Sequence, residues 1–169
     1  YTDSAAPVEI AYFDRGPLDA KSPTLAGYWS AYYYRGRIYG TEIARGLDVF
    51  ALTPSTTLSA NEIAAAALAD QGGLFNPQQQ FPVRWPAEPV VARAYMDQLR
   101  RTGALDLSLD KQLDAALLAA RAPLDARSSS SHLAQQLRGM STEVKAGQAD
   151  AGRRAALSDI LEGIAKRLD

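Results

Sequence analysis

The stretch Gly27–Leu52 reads GYWSAYYYRGRIYGTEIARGLDVFAL, three short aromatic and β-branched runs separated by breaks that contain glycine. Such residues suit a pleated surface, and the breaks fall where hairpins turn. The long remainder of the chain holds few aromatics and is dominated by alanine and leucine at helical spacing. A chain built this way combines an antiparallel sheet with a set of helices, which places it in the α+β class.

Four strands are expected over residues 1–58. Val8–Phe13, VEIAYF, sets Val8, Ile10 and Tyr12 on one face and is followed by the turn-like DRGP. Tyr32–Tyr34 and Arg37–Ile43 flank Arg35-Gly36, a tight hairpin whose turn type stays open because Arg-Gly is a weaker type I′ signal than Asn-Gly. Ala44-Arg45-Gly46 is a second connection, with Gly46 able to take a positive φ, and Leu47–Leu52 is the last strand. Tyr33, Ile43 and Phe50 fall on varied parities, so both faces of this four-stranded meander carry large side chains and want cover. Neighbouring blades give such cover in a propeller, and the meander is propeller-blade-like.

Residues 59–71 read as a helix. Ser59 and Glu62 have capping-box spacing, Leu58 and Ile63 take the staple positions, and Gly72-Gly73 is the stop. Residues 72–89, GGLFNPQQQFPVRWPAEP, form a proline- and glutamine-rich linker that excludes a long helix. Residues 90–169 then carry four apolar stripes: Val91, Tyr95 and Leu99 up to Gly103; Leu109, Leu113, Ala116, Leu117 and Ala120, opened by Ser108 and closed before Pro123; Leu133, Leu137, Met140 and Val144 up to Gly147; and Leu157, Ile160, Leu161, Ile164 and Leu168. Four such helices with short connections make a bundle.

AYFDRGP (Ala11–Pro17), the Gly27–Leu52 stretch and LTPSTTLSANEI (Leu52–Ile63) together resemble the last blade of the LVIVD-repeat proteins, bacterial extracytoplasmic β-propellers. The resemblance covers roughly residues 8–63 and implies a C-terminal piece of a longer propeller. ARAYMDQLRRTGALDLSLDKQLDAALLAAR and HLAQQLRGMSTEVKAG resemble the FIMAH domain, a helical module at the C-termini of some secreted bacterial proteins. That likeness covers roughly residues 88–168, although the family often has a more aromatic, asparagine-containing motif in the second segment. It implies a surface or secreted setting and no chemistry.

The residues offer little catalytic machinery. The chain has no cysteine, which removes thiolate zinc sites, iron–sulfur clusters, disulfides and cysteine nucleophiles. His132 is the single histidine and cannot build a multi-histidine metal site, so it reads as an exposed or partly packed polar residue. Phosphate-binding glycine loops are missing, the net charge is -1, and Arg100-Arg101 and Arg153-Arg154 lack interleaved aromatics and read as solvated helix faces. Nucleic acid is therefore not an expected partner. No apolar run is long enough to span a bilayer as a helix. The first residue is Tyr1, so the missing targeting segment carries no weight. Asp14, Glu42 and Asp48 fall on or beside the strands, and oxygen-only ligands suit calcium, the one cofactor the sequence could accommodate. The alternative for these carboxylates is solvated or salt-bridged edge charges near Arg35, Arg37 and Arg45.

Tyr28, Trp29 and Tyr33 of the first aromatic run, with Phe75, Phe81 and Trp85 of the linker, are the candidate interaction surface. Aromatics on a sheet serve either as packing or as a platform for a protein partner or a surface glycan. The expected function is a non-catalytic structural or binding module of the bacterial envelope, periplasmic, surface-bound or secreted. The alternatives are the C-terminal part of an extracytoplasmic enzyme whose active site lies upstream, or a carbohydrate-binding module.

Overall fold

The computed structural model describes residues 7–69 and 83–169. Three strands, β1 (Tyr28–Tyr34), β2 (Arg37–Glu42) and β3 (Gly46–Phe50), form an antiparallel sheet in the order β1-β2-β3. Among the described residues five helices follow: α1 (Ala60–Ala67), α2 (Pro89–Arg101), α3 (Leu107–Ala126), α4 (Ser131–Ala146) and α5 (Ala151–Leu168). Among the described residues no helix is long and apolar enough to cross a membrane.

The sheet has three strands rather than the expected four. Val8–Phe13 is not part of the sheet, with Val8 and Tyr12 exposed. The alternation that suggested a strand is present, but the segment makes ring contacts to the sheet face instead of pairing at its edge. Phe13 is drawn onto the sheet face, its ring centroid 4.7 Å from Phe50 and 6.4 Å from Tyr28. Arg15 reaches Asp48 at 2.6 Å, and the Arg45 guanidinium donates to the Pro17 carbonyl at 3.2 Å. These contacts anchor the DRGP turn beside the β2–β3 connection.

The first hairpin turn is settled by its dihedrals. Arg35 and Gly36 both have positive φ, 45° and 78°, as a two-residue type I′ turn requires. Strand β1 starts four residues before Tyr32 and carries a bulge at Trp29, where the register slips between Tyr28 and Ser30. Tyr33, Ile38 and Phe50 pair across the three strands and share one face with Tyr28, Gly40, Glu42 and Asp48. Tyr33 and Phe50 thus share a face despite their different parity, while both faces carry large side chains as expected. This inner face is buried or half-buried, while Tyr32, Leu47 and Val49 lie on the exposed outer face and Ile43 falls in the β2–β3 loop.

Helix α1 forms for the reason its sequence announces. Ser59 Oγ accepts from the Glu62 amide at 3.1 Å, and Glu62 Oε2 accepts from the Ser59 amide at 2.6 Å. The helix ends at Ala67, short of Gly72-Gly73, which lies outside the described residues. Its Ala65 joins the core made by α2–α5, whose fully buried side chains include Met96, Leu99, Leu113, Leu117, Leu137, Leu161 and Ile164. No described strand residue belongs to that core.

The helix boundaries differ from expectation at α3. Asp106, not Ser108, is the N-cap, its Oδ1 accepting from the Ser108 and Leu109 amides at 2.8 and 3.2 Å. Pro123 lies inside the helix, which runs on to Ala126. The proline removes one backbone donor near the C-terminal end, and Leu124 beyond it is still buried. Helices α4 and α5 cross at Ser141 and Ser158, whose buried hydroxyls lie 2.8 Å apart. Two small residues let the backbones approach, and each hydroxyl satisfies the other.

Candidate functional site

The candidate surface of the sequence divides between the two sheet faces. Tyr28 is half-buried on the inner face. Its ring lies over Gly40, where an added Cβ would meet the ring carbons at 2.9 Å, and packs edge-on to Phe50 with centroids 5.8 Å apart. Its hydroxyl donates to Asp48 Oδ2. Burial, then the bond to Asp48, hold the phenol above its ordinary range. Tyr33 lies on the same inner face and is half-buried. Trp29 is carried outward by the bulge and is 79% exposed. Trp85 is 36% exposed and borders a pocket of about 120 Å³ with Glu62, Ala65, Val91, Tyr95 and Gln98. Phe75 and Phe81 lie outside the described residues.

The carboxylates of the sheet have structural partners. Glu42 is 5% exposed and accepts from the amides of Gly27 at 2.8 Å, Ala44 at 2.9 Å and Arg45. The Gly27 bond leads these in holding its carboxyl below the ordinary glutamate range, against an opposing effect of burial. One side chain thus ties the entry to β1 to the β2–β3 loop. Asp48 takes Arg15 on one oxygen and Tyr28 on the other, and Asp14 caps its own turn through the Gly16 amide at 2.7 Å. Asp14, Glu42 and Asp48 do not converge on a cation. Among the described residues no three His, Cys, Asp or Glu side chains gather as metal ligands do. His132 is exposed on the first turn of α4.

Arg100 and Arg101 are exposed, as their sequence suggested, and Arg153 and Arg154 are half-buried, but all four have partners. Arg100 binds Asp97 at 2.6 Å, Asp110 at 2.7 Å and Asp114 at 2.8 Å. Partial burial opposes its charge, but the bonds to Asp110 and Asp97 outweigh that and raise its pKa. Arg101 holds Glu62 of the capping box at 2.5 Å, and Asn61 donates to Asp97 at 2.8 Å, so α1 is clamped to α2. Arg153 meets Asp150 at 2.7 Å and Gln98 at 2.9 Å. Arg154 donates to the carbonyls of Val144, Ala149 and Ala104 and covers Gly147. The i,i+3 spacing of Asp97 to Arg100 and of Asp150 to Arg153 is a sequence signal for two of these pairs; the other partners lie up to 55 positions away and carry none.

What remains unsatisfied is apolar surface. Trp29, Tyr32, Leu47 and Val49 are 79, 39, 62 and 53% exposed on the outer side of the sheet. Strand β1, YWSAYYY, forms one edge of the sheet and carries neither charge nor proline, the usual protections of an edge. The arrangement can offer main-chain pairing and an aromatic-aliphatic face. Comparison with known proteins adds no relative: no family model, curated protein or solved structure matches the chain.

Proposed function

We propose that the chain is a non-catalytic structural or binding module of a bacterial cell-envelope or secreted protein. In this reading the sheet is the C-terminal blade of a longer propeller of the LVIVD-repeat kind, and the helices are a FIMAH-like module that docks to a partner. The observation that carries it is the bare outer face of the sheet, with Leu47 and Val49 more than half exposed. A blade in a propeller has a neighbour on each face, and the neighbour would cover these residues. The edge of β1, which carries neither charge nor proline, supports the same reading. Val8–Phe13 has strand alternation and would pair there as the fourth strand once adjoining blades hold it. Glu42 and Asp48, candidate calcium ligands by sequence, are occupied by backbone amides, Arg15 and Tyr28.

The test is the mass of the protein isolated from its native source, under denaturing and then native conditions. The reading expects a polypeptide well above 18.2 kDa. A polypeptide of 18.2 kDa held in a larger native complex would overturn the propeller and keep the binding module. A free 18.2 kDa monomer would overturn both.

A further inference from the structure

Helix α3 is apolar on two sides. Its inner stripe, Leu109, Leu113, Ala116, Leu117, Ala120 and Leu124, fills the core. On the opposite side Leu118 is 61% exposed, between exposed Ala115 and Ala122. Lys111 and Asp125 lie seven residues to either side of Leu118, about two turns each way, and so share its face. Arg121 lies on the flank of that face, on the same side as Asp114. Among the described residues Lys111, Arg121 and Asp125 have no ion-pair partner within the chain.

We propose that this face of α3 docks on the same face of a second copy of the chain, antiparallel, about a two-fold axis passing beside Leu118. The order of charges selects that occupant. Rotation about the axis places residues equally far before and after Leu118 opposite one another, because a two-fold interface uses one patch twice. Lys111 then meets Asp125 of the second copy, and Asp125 meets its Lys111. Arg121 approaches the second copy's Asp114, whose side chain is 48% exposed although it also binds Arg100 and Arg93. The cluster there sets three aspartates, Asp97, Asp110 and Asp114, against two arginines, Arg93 and Arg100, leaving one negative charge for Arg121. Ala115 and Ala122 come together on the other flank, where small side chains let the helices approach, and Leu118 packs on Leu118. A parallel pairing would place Lys111 on Lys111 and Asp125 on Asp125, so charge repulsion excludes it.

One helix face is a small interface, at the low end for protein pairs, so the association is a weak one seen at high protein concentration. It stands apart from the reading of the sheet, since no strand residue takes part.

Sedimentation equilibrium of the full chain over a wide concentration range tests the proposal. The wild-type chain is expected to enter a monomer–dimer equilibrium. Leu118→Glu puts two carboxylates on the axis and should weaken dimerisation at least tenfold. Its circular dichroism should not change, because Leu118 is exposed. Lys111→Glu and Asp125→Lys should each weaken the dimer, and the double variant Lys111→Glu/Asp125→Lys should restore it. A folded chain that stays monomeric throughout overturns the proposal. So does a dimer indifferent to Leu118→Glu but lost on Leu47→Thr/Val49→Thr, which would assign association to the sheet. Failure of the double variant to recover would overturn the antiparallel pairing.

Discussion

Gly40→Ala is the sharpest probe of how the sheet is packed. Gly40 is buried in the middle strand and its φ is not positive, so no backbone requirement calls for glycine there. The requirement is room. A Cβ at this position would stand 2.9 Å from two carbons of the Tyr28 ring and 3.4 Å from Phe50. The ring cannot easily swing aside, because Phe13 and Phe50 flank it and Asp48 holds its hydroxyl. Overpacking of this kind costs about 1–3 kcal/mol. Replacing a strand glycine by alanine returns about 0.5–1 kcal/mol of backbone entropy. The net is a loss of about 0.5–2 kcal/mol, a factor of roughly 2–30 in the opening equilibrium. Because the sheet lies outside the helical core, the assay must be local. Amide hydrogen exchange in β2 and β3 should quicken by that factor while α4 and α5 are unchanged. In a Tyr28→Ala background the obstacle is gone, and Gly40→Ala should slow exchange instead. If Gly40→Ala is destabilising by the same amount with and without the Tyr28 ring, the packing argument is wrong.

Arg127 closes α3 in the left-handed region at φ 50°, a conformation that favours glycine, and Arg127→Gly should raise stability to urea by about 0.5–1 kcal/mol. Ser141→Ala leaves the buried Ser158 hydroxyl without its side-chain partner and should cost about 1–3 kcal/mol in urea unfolding, whereas Ser141→Ala/Ser158→Ala should be close to neutral. Backbone amides hold the Glu42 pKa below its unfolded value, so its contribution is complete above the ordinary glutamate range and is lost as pH falls through the lower folded value. Exchange in the β2–β3 loop should therefore accelerate on acidification, and Glu42→Gln should flatten that dependence.

Local signals were readable wherever a few adjacent residues decide the outcome. The capping box of Ser59 and Glu62 and the glycine stops at Gly103 and Gly147 lie within a turn or two of the helix they bound, and the structure has helices there. The Arg35-Gly36 hairpin was legible for the same reason. Features set by distant contacts were not. Val8–Phe13 has strand alternation, yet whether it pairs depends on where Phe13 finds apolar surface, and it finds Phe50 and Tyr28. Pro123 signals a helix end, but Leu124 is buried beyond it. Glu42 looked like any edge carboxylate, and its three amide donors come from two loops that the fold brings together. For the arginine pairs, the i,i+3 spacings of Asp97 to Arg100 and Asp150 to Arg153 were readable, whereas the partners on α1 and α3 are remote in sequence. A signal does exist for the second face of α3: Leu118 lies opposite the core stripe, at a position where a bundle helix is ordinarily polar.

The central claim is that this sheet is incomplete by itself and is covered and extended in the working protein. Hydrogen exchange at the β1 amides that point away from β2 tests it most directly, comparing the 169-residue chain with protein taken intact from its source. The account predicts fast exchange at these amides in the isolated chain and strong protection in the native material, with α2–α5 alike in both. Equal, fast exchange in the two samples would mean that the edge of β1 stays open in the working protein, and the blade reading would fall.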